Sequence, residues 1–132
     1  MNFAKAYAGT LVAFLVVDVI WIVRVVSPMY KQQLAPLLRN SPLLGPAIMF
    51  YLAYAAGVVY FAVLPAQAAG GVRAAFVNGA ILGGLAYATY AFTNYSLLRG
   101  WTFGLAAADV GWGVVLTAAS AVCGLLALRL GR

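Results

Sequence analysis

Four apolar stretches, each about as long as a bilayer is thick, govern what this chain can fold into. A helix needs roughly 20 predominantly apolar residues to cross a hydrocarbon core of about 30 Å. Residues 6–26, 42–65, 74–98 and 102–128 each meet that requirement. Charge is too scarce for the other choice, a water-facing domain. Only 8% of the 132 residues are charged and 66% are hydrophobic, whereas a soluble domain carries about 25% charged residues. A soluble globular enzyme is therefore excluded. The expected fold is all-α, a polytopic membrane protein built as a four-transmembrane-helix bundle in one integral membrane domain.

Between the spans lie short polar turns. Gln67, Gly70, Gly71 and Arg73 form one, and Arg99, Gly100 and Trp101 another. The longer segment 29–41 carries Lys31, Gln32, Gln33, Arg39 and Asn40, with Tyr30, Leu34, Leu37 and Leu38 at i, i+4, i+7, i+8. That spacing fits a short helix lying in the interface. Pro36 argues equally for a plain loop, because proline breaks or bends a helix. Ser41 can cap the second span, with Pro42 in its first turn. The first span is read as retained. Asp18, the run's length and the Trp21-Ile22-Val23-Arg24 sequence suit a spanning helix better than a cleaved leader.

The eight cations against two acids do not form a nucleic-acid stripe. They fall in turns and at ends. Lys5, Arg73, Arg129 and Arg132 lie on one side of the membrane, here the first side. Arg24, Lys31, Arg39 and Arg99 lie on the other, the second side. The tie leaves orientation undecided by the positive-inside rule and admits insertion both ways. The sequence has no His, and Cys123 is its single cysteine. No cofactor or metal is expected, since neither imidazole nor a thiolate cage is on offer.

Small residues recur at four-residue spacing in Gly79-x-x-x-Gly83, Ala80-x-x-x-Gly84, Ala53-x-x-x-Gly57, Gly100-x-x-x-Gly104 and Ser120-x-x-x-Gly124. In lipid such faces let backbones approach closely. Packing within the bundle is the first reading. A homodimer or a membrane-protein partner is the second, with Ser120 and Gly124 as one such face, and membrane lipid surrounds the rest.

The two acids carry the most information. An Asp at membrane depth costs about 2.5–3.5 kcal/mol on insertion scales, so it should face inward with a partner. Both occur three residues before a Trp, as Asp18…Trp21 and Asp109…Trp112, and i, i+3 residues share a helix face. At 1.5 Å per residue, Asp18 lies roughly 3 Å past the midplane and Trp112 roughly 4–5 Å. On the same rise, Trp21 lies roughly 7–8 Å out and Asp109 roughly 9 Å, all toward the second side. If the first and last helices are neighbours, each indole N–H can reach the other helix's carboxyl, since an indole only donates. Such a reciprocal clasp serves either a bundle staple or a functional site. Tyr87, Tyr90 and Asn94 fall on one face of the third span, and Tyr51, Tyr54 and Tyr60 stand on the second. With the acids they form an expected polar pocket. Thr89, Thr93 and Ser96 form an adjacent stripe that either joins this lining or bonds its own backbone, and Tyr30, Tyr95 and Trp101 are expected to sit in interfacial belts.

Four segments carry a family resemblance: Phe50-Tyr51-Leu52-Ala53-Tyr54-Ala55-Ala56-Gly57, Phe61-Ala62-Val63-Leu64-Pro65-Ala66, Tyr87-Ala88-Thr89-Tyr90-Ala91-Phe92-Thr93-Asn94 and Asp109-Val110-Gly111-Trp112-Gly113. In this order they resemble a bacterial family of small four-span membrane proteins known as a domain of unknown function. The resemblance covers nearly the whole chain and implies a bacterial inner-membrane protein of four helices, with no activity attached. The family's third-span pattern reads Tyr-Asp-Leu-Thr-Asn. Here Ala91 stands where that Asp would be, so any role of a third acid does not carry over.

Three functions compete. A small transporter or solute- or lipid-binding protein would use Asp18 or Asp109, with Tyr and Trp shaping the site by cation–π contact. Its four spans and first-span acid are similar to small multidrug transporters, although those carry Glu there. A non-enzymatic accessory or structural subunit of a larger complex is the alternative. A lipid-modifying enzyme has the thinnest support.

Overall fold

The computed structural model describes residues 2–26, 28 and 44–130, so the segment expected as interfacial helix or loop lies outside the described residues. Helix α1 (Asn2–Trp21) continues into a π turn, Ile22–Val26. The second span is α2 (Leu44–Val58), a π turn (Val59–Val63) and the short α3 (Leu64–Ala68). Helices α4 (Gly71–Leu97) and α5 (Phe103–Arg129) complete the bundle. No strand occurs among the described residues. Among the described residues four helices are long and apolar enough to cross a membrane, as fits a small four-span membrane protein.

Two boundaries differ from the expected spans for identifiable reasons. The second span does not stop at Pro65 but runs to Ala68. Proline lacks an N–H and its ring clashes with the carbonyl four residues back. Here the preceding turn is widened to π geometry, and Pro65 falls in the first turn of α3. Asn78 Nδ2 donates to the Ala62 carbonyl within that π turn at 3.4 Å. Helix α4 begins at Gly71, three residues early, because Gly70 and Gly71 make the turn with φ of +98° and +63°, which only glycine adopts cheaply. At the start of α5, Thr102 accepts from the Leu105 amide at 3.1 Å, closing one orphan donor. Lys5 donates to the Leu130 carbonyl just beyond its end at 3.1 Å.

Helix α5 is the hub. It packs along both α4 and α1 and carries the most buried span of the four. Small residues make this possible. A Cβ on Gly79 would meet the Thr117 carbonyl at 2.7 Å, and one on Gly83 would strike the Gly113 carbonyl and the Thr117 side chain. Gly124 packs on Thr10 and the Ala6 carbonyl of α1. Ser120 is buried too. The Ser120–Gly124 face proposed for a dimer is thus taken up within the chain, where α1 needs close approach to the hub. Gly57 is the other correction. Among the described residues nothing lies within 4 Å of a Cβ built there, so it makes no tight contact with them.

The first-side half of the bundle is solid. Ala6, Val58, Val59, Ala62, Val63, Ala66, Ala75, Ala121, Leu125 and Leu128 form one buried apolar cluster there. A Gly83→Ala variant, overpacking the α4–α5 contact, should lose about 1–3 kcal/mol. Gly57→Ala should stay within about 1 kcal/mol of the parent. Reversible unfolding in mixed micelles checks both, and equal losses would contradict this packing.

Candidate functional site

The second-side half is hollow. A cavity of about 550 Å³ lies between the C-terminal half of α1, the N-terminal half of α2, the later turns of α4 and the first turns of α5. Both acids line it, with Trp21, Trp112, Tyr51, Tyr54, Tyr87 and Tyr90 and a few apolar side chains. Among the described residues its lining contains no Lys or Arg.

Asp18 anchors the wall. Asp18 is 5% exposed. Trp112 Nε1 donates to Asp18 Oδ1 at 3.0 Å, and the Tyr51 hydroxyl donates to Oδ2 at 2.7 Å. One carboxyl therefore ties α1 to α5 and to α2. The level match between Asp18 and Trp112 read from helix rise is realised as a bond. Its reciprocal is not. Trp21 Nε1 is buried without a hydrogen-bond partner, and the Trp21 ring stacks on Trp112 with centroids 4.2 Å apart and planes 5° from parallel. The physical reason is geometric: two indoles held face to face cannot both turn their N–H edges across to the opposite helix. Asp109, 6% exposed, stands one turn before Trp112 on α5 and faces the cavity.

A tyrosine layer closes the inner end. The Tyr54 hydroxyl pairs with Thr117 Oγ1 at 2.9 Å. Tyr54 meets Tyr87 edge-on across the α2–α4 gap, with centroids 6.2 Å apart. Phe14 of α1 packs on both Tyr51 and Tyr54. Tyr87 also lies directly over Gly113, where a Cβ would collide with its ring. The cavity is thus floored by aromatic rings set by one glycine.

Of the expected pocket residues, Asp18, Trp21, Asp109, Trp112, Tyr54, Tyr87 and Tyr90 come together. Asn94 does not line the cavity, which ends one turn earlier on α4 at Tyr90. Tyr51 has a larger part than its place in the polar set indicated, as the second donor to Asp18. Its spacing from Tyr54 put it near the pocket, but nothing in the sequence matched it to Asp18. Thr89 and Ser96 bond the Leu85 and Phe92 carbonyls at 2.8 Å, as expected of hydroxyls within a helix. At the helix ends, Tyr95, Phe92 and Phe103 form an exposed ring cluster, and Trp101 meets Tyr90.

Residues 3–126 match the family described as "Predicted membrane protein (DUF2177)". The chain belongs to this family. The match takes in all four spans and every residue of the cavity lining. No curated protein and no solved structure matches. Membership agrees with the resemblance read from the sequence to a family of membrane proteins over nearly the whole chain.

Tyr51→Phe and Trp112→Phe should each cost about 1.5–3 kcal/mol of stability, the usual worth of a hydrogen bond to a charged group. Their effects should be non-additive, because the two donors share one acceptor. A double-mutant cycle by unfolding in mixed micelles reads the coupling; simple additivity would contradict a shared anchor.

Proposed function

We propose that this protein binds organic cations in its second-side cavity and works as a small transporter or solute-binding protein of the bacterial inner membrane. The supporting observation is the cavity's composition: two buried carboxyls, seven aromatic side chains and, among the described residues, no basic residue in the lining. A charge in low dielectric demands a counter-charge. Among the described lining residues there is no Lys or Arg, and a proton on the carboxyl or a cation brought by a ligand can each supply that charge. The two are mutually exclusive at one oxygen, which is the elementary requirement for exchanging protons against a cationic solute. Tyr and Trp faces add cation–π attraction, worth about 2 kcal/mol or more when desolvated. Asp18 is held by two donors and sets the field of the site, while Asp109 lines the same space from α5.

The accessory-subunit alternative drew its strength from small-residue faces. Gly79, Gly83 and Gly124 use theirs against neighbouring helices of the same chain, which leaves the cavity as the better-supported basis for function.

Proteoliposomes with an imposed pH gradient test the reading. Tetraethylammonium uptake should exceed that of empty vesicles several-fold. It should fall to background in Asp109→Asn and in Asp18→Asn, with both variants still monodisperse. If both Asn variants transport and bind normally, the acids are a staple only. Loss of assembly in Asp18→Asn with unchanged binding in Asp109→Asn would point the same way.

A further inference from the structure

The first-side end of the bundle gathers cations with no acidic side chain to balance them. Lys5 of α1, Arg73 of α4 and Arg129 of α5 stand there. The chain's two acidic side chains, Asp18 and Asp109, both line the cavity in the other half. The cations converge on the α3–α4 turn. Arg129 Nη2 lies 3.3 Å from the point that a Gly71 Cβ would occupy, so the missing side chain lets the guanidinium rest on the turn. Lys5 Nζ donates to the carbonyl of Leu130, the next residue after Arg129, at 3.1 Å. Arg73 stands two residues beyond Gly71, in the first turn of α4.

Beside that turn lies a second, smaller hollow. A groove of about 310 Å³ is lined by Gly70, Arg73, Ala74, Val77 and Asn78. These residues share one face of α4, and the run from Gly70 to Asn78 covers about 12 Å of helix. The chemistry changes along it. Arg73 is exposed at the outer end. Ala74 and Val77 form an apolar wall, with Ala74 packed on the buried first-side cluster and Val77 46% exposed. Asn78 stands at the inner end, its Nδ2 committed to the Ala62 carbonyl of the π turn. The groove thus leads from a guanidinium at the end of the span inward along an apolar helix face.

We propose that this groove binds an anionic phospholipid. The lipid phosphate sits against Arg73 and Arg129, and the start of an acyl chain lies along Ala74 and Val77. A guanidinium matches a phosphate with paired N–H···O bonds. Net charge selects among lipids. A zwitterionic head brings its own ammonium to a site that already holds Arg73, Arg129 and Lys5, whereas an anionic head brings none. A basic residue near an anionic bilayer surface gains about fivefold in affinity. The apolar wall selects a lipid over a free phosphate, which would leave Ala74 and Val77 uncovered. The groove is separate from the second-side cavity, and the inference does not depend on what that cavity binds.

Native mass spectrometry of the full chain released from detergent micelles tests this with three probes. These are dioleoylphosphatidylglycerol, dioleoylphosphatidylcholine and inorganic phosphate. The glycerol lipid should bind at least about 10-fold more tightly than the choline lipid. Arg73→Gln and Arg129→Gln should each weaken the glycerol lipid about fivefold and leave the choline lipid within about twofold. Arg99→Gln removes a cation at the opposite end and should leave the preference unchanged. Inorganic phosphate in large excess should not displace the glycerol lipid. The comparison of the two lipids on the unaltered chain stands even if an Arg variant misfolds. Equal binding of the two lipids, or equal losses in Arg99→Gln and Arg73→Gln, would overturn the site in favour of general surface charge. Displacement by inorganic phosphate would reveal a free-anion site and overturn the lipid assignment.

Discussion

A carboxyl inside a bilayer is the constraint from which the rest of this structure follows. Asp18 cannot face lipid without a penalty of about 2.5–3.5 kcal/mol, so it needs donors from within the protein. Trp112 and Tyr51 supply them at 3.0 and 2.7 Å. These two bonds join three helices at one point and fix the rotation of each. With Asp18 turned inward, Trp21 is carried to the same face one turn later and lands on Trp112. With Tyr51 turned inward, Tyr54 and Ala47 follow on the same face of α2 and become cavity wall.

The bundle divides into two ends with different physics. Glycine and alanine fill the first-side half and let the helices close on the hub α5. In the second-side half, large aromatic rings keep the helices apart and enclose space. The π turn at Val59–Val63 and the short α3 pack against α4, whereas α2 has no packed interface with α4 among the described residues. The solid end supplies stability and the hollow end supplies a site.

Much of this was legible in the sequence, for reasons that can be stated. Helix rise and antiparallel order are rigid rules, so Asp18 and Trp112 could be set level from counting alone, and they bond. Rotation about each helix axis is not fixed by counting. The pairing of Trp21 with Asp109 failed there, because stacking of the two indoles decides which way their N–H edges turn. The partnership of Tyr51 with Asp18 was hidden for the same reason, since it depends on how α2 is rotated. Of the small-x-x-x-small sets, Gly79, Gly83 and Gly124 lie close against neighbouring helices, yet Ala53…Gly57 has the same spacing and its glycine meets nothing within 4 Å among the described residues. The pattern reports a smooth face and not the direction it faces. Asn94 shares the helical face of Tyr87 and Tyr90, but a face continues past the end of a cavity.

The account turns on whether the hollow end holds a cation beside its two carboxyls. A crystal structure of the protein with tetraethylammonium measures this directly. The expected result is density for the cation inside the cavity, beside Asp109 and the Trp21–Trp112 stack. Density for the cation only on the outer surface, with none inside the cavity, would contradict it.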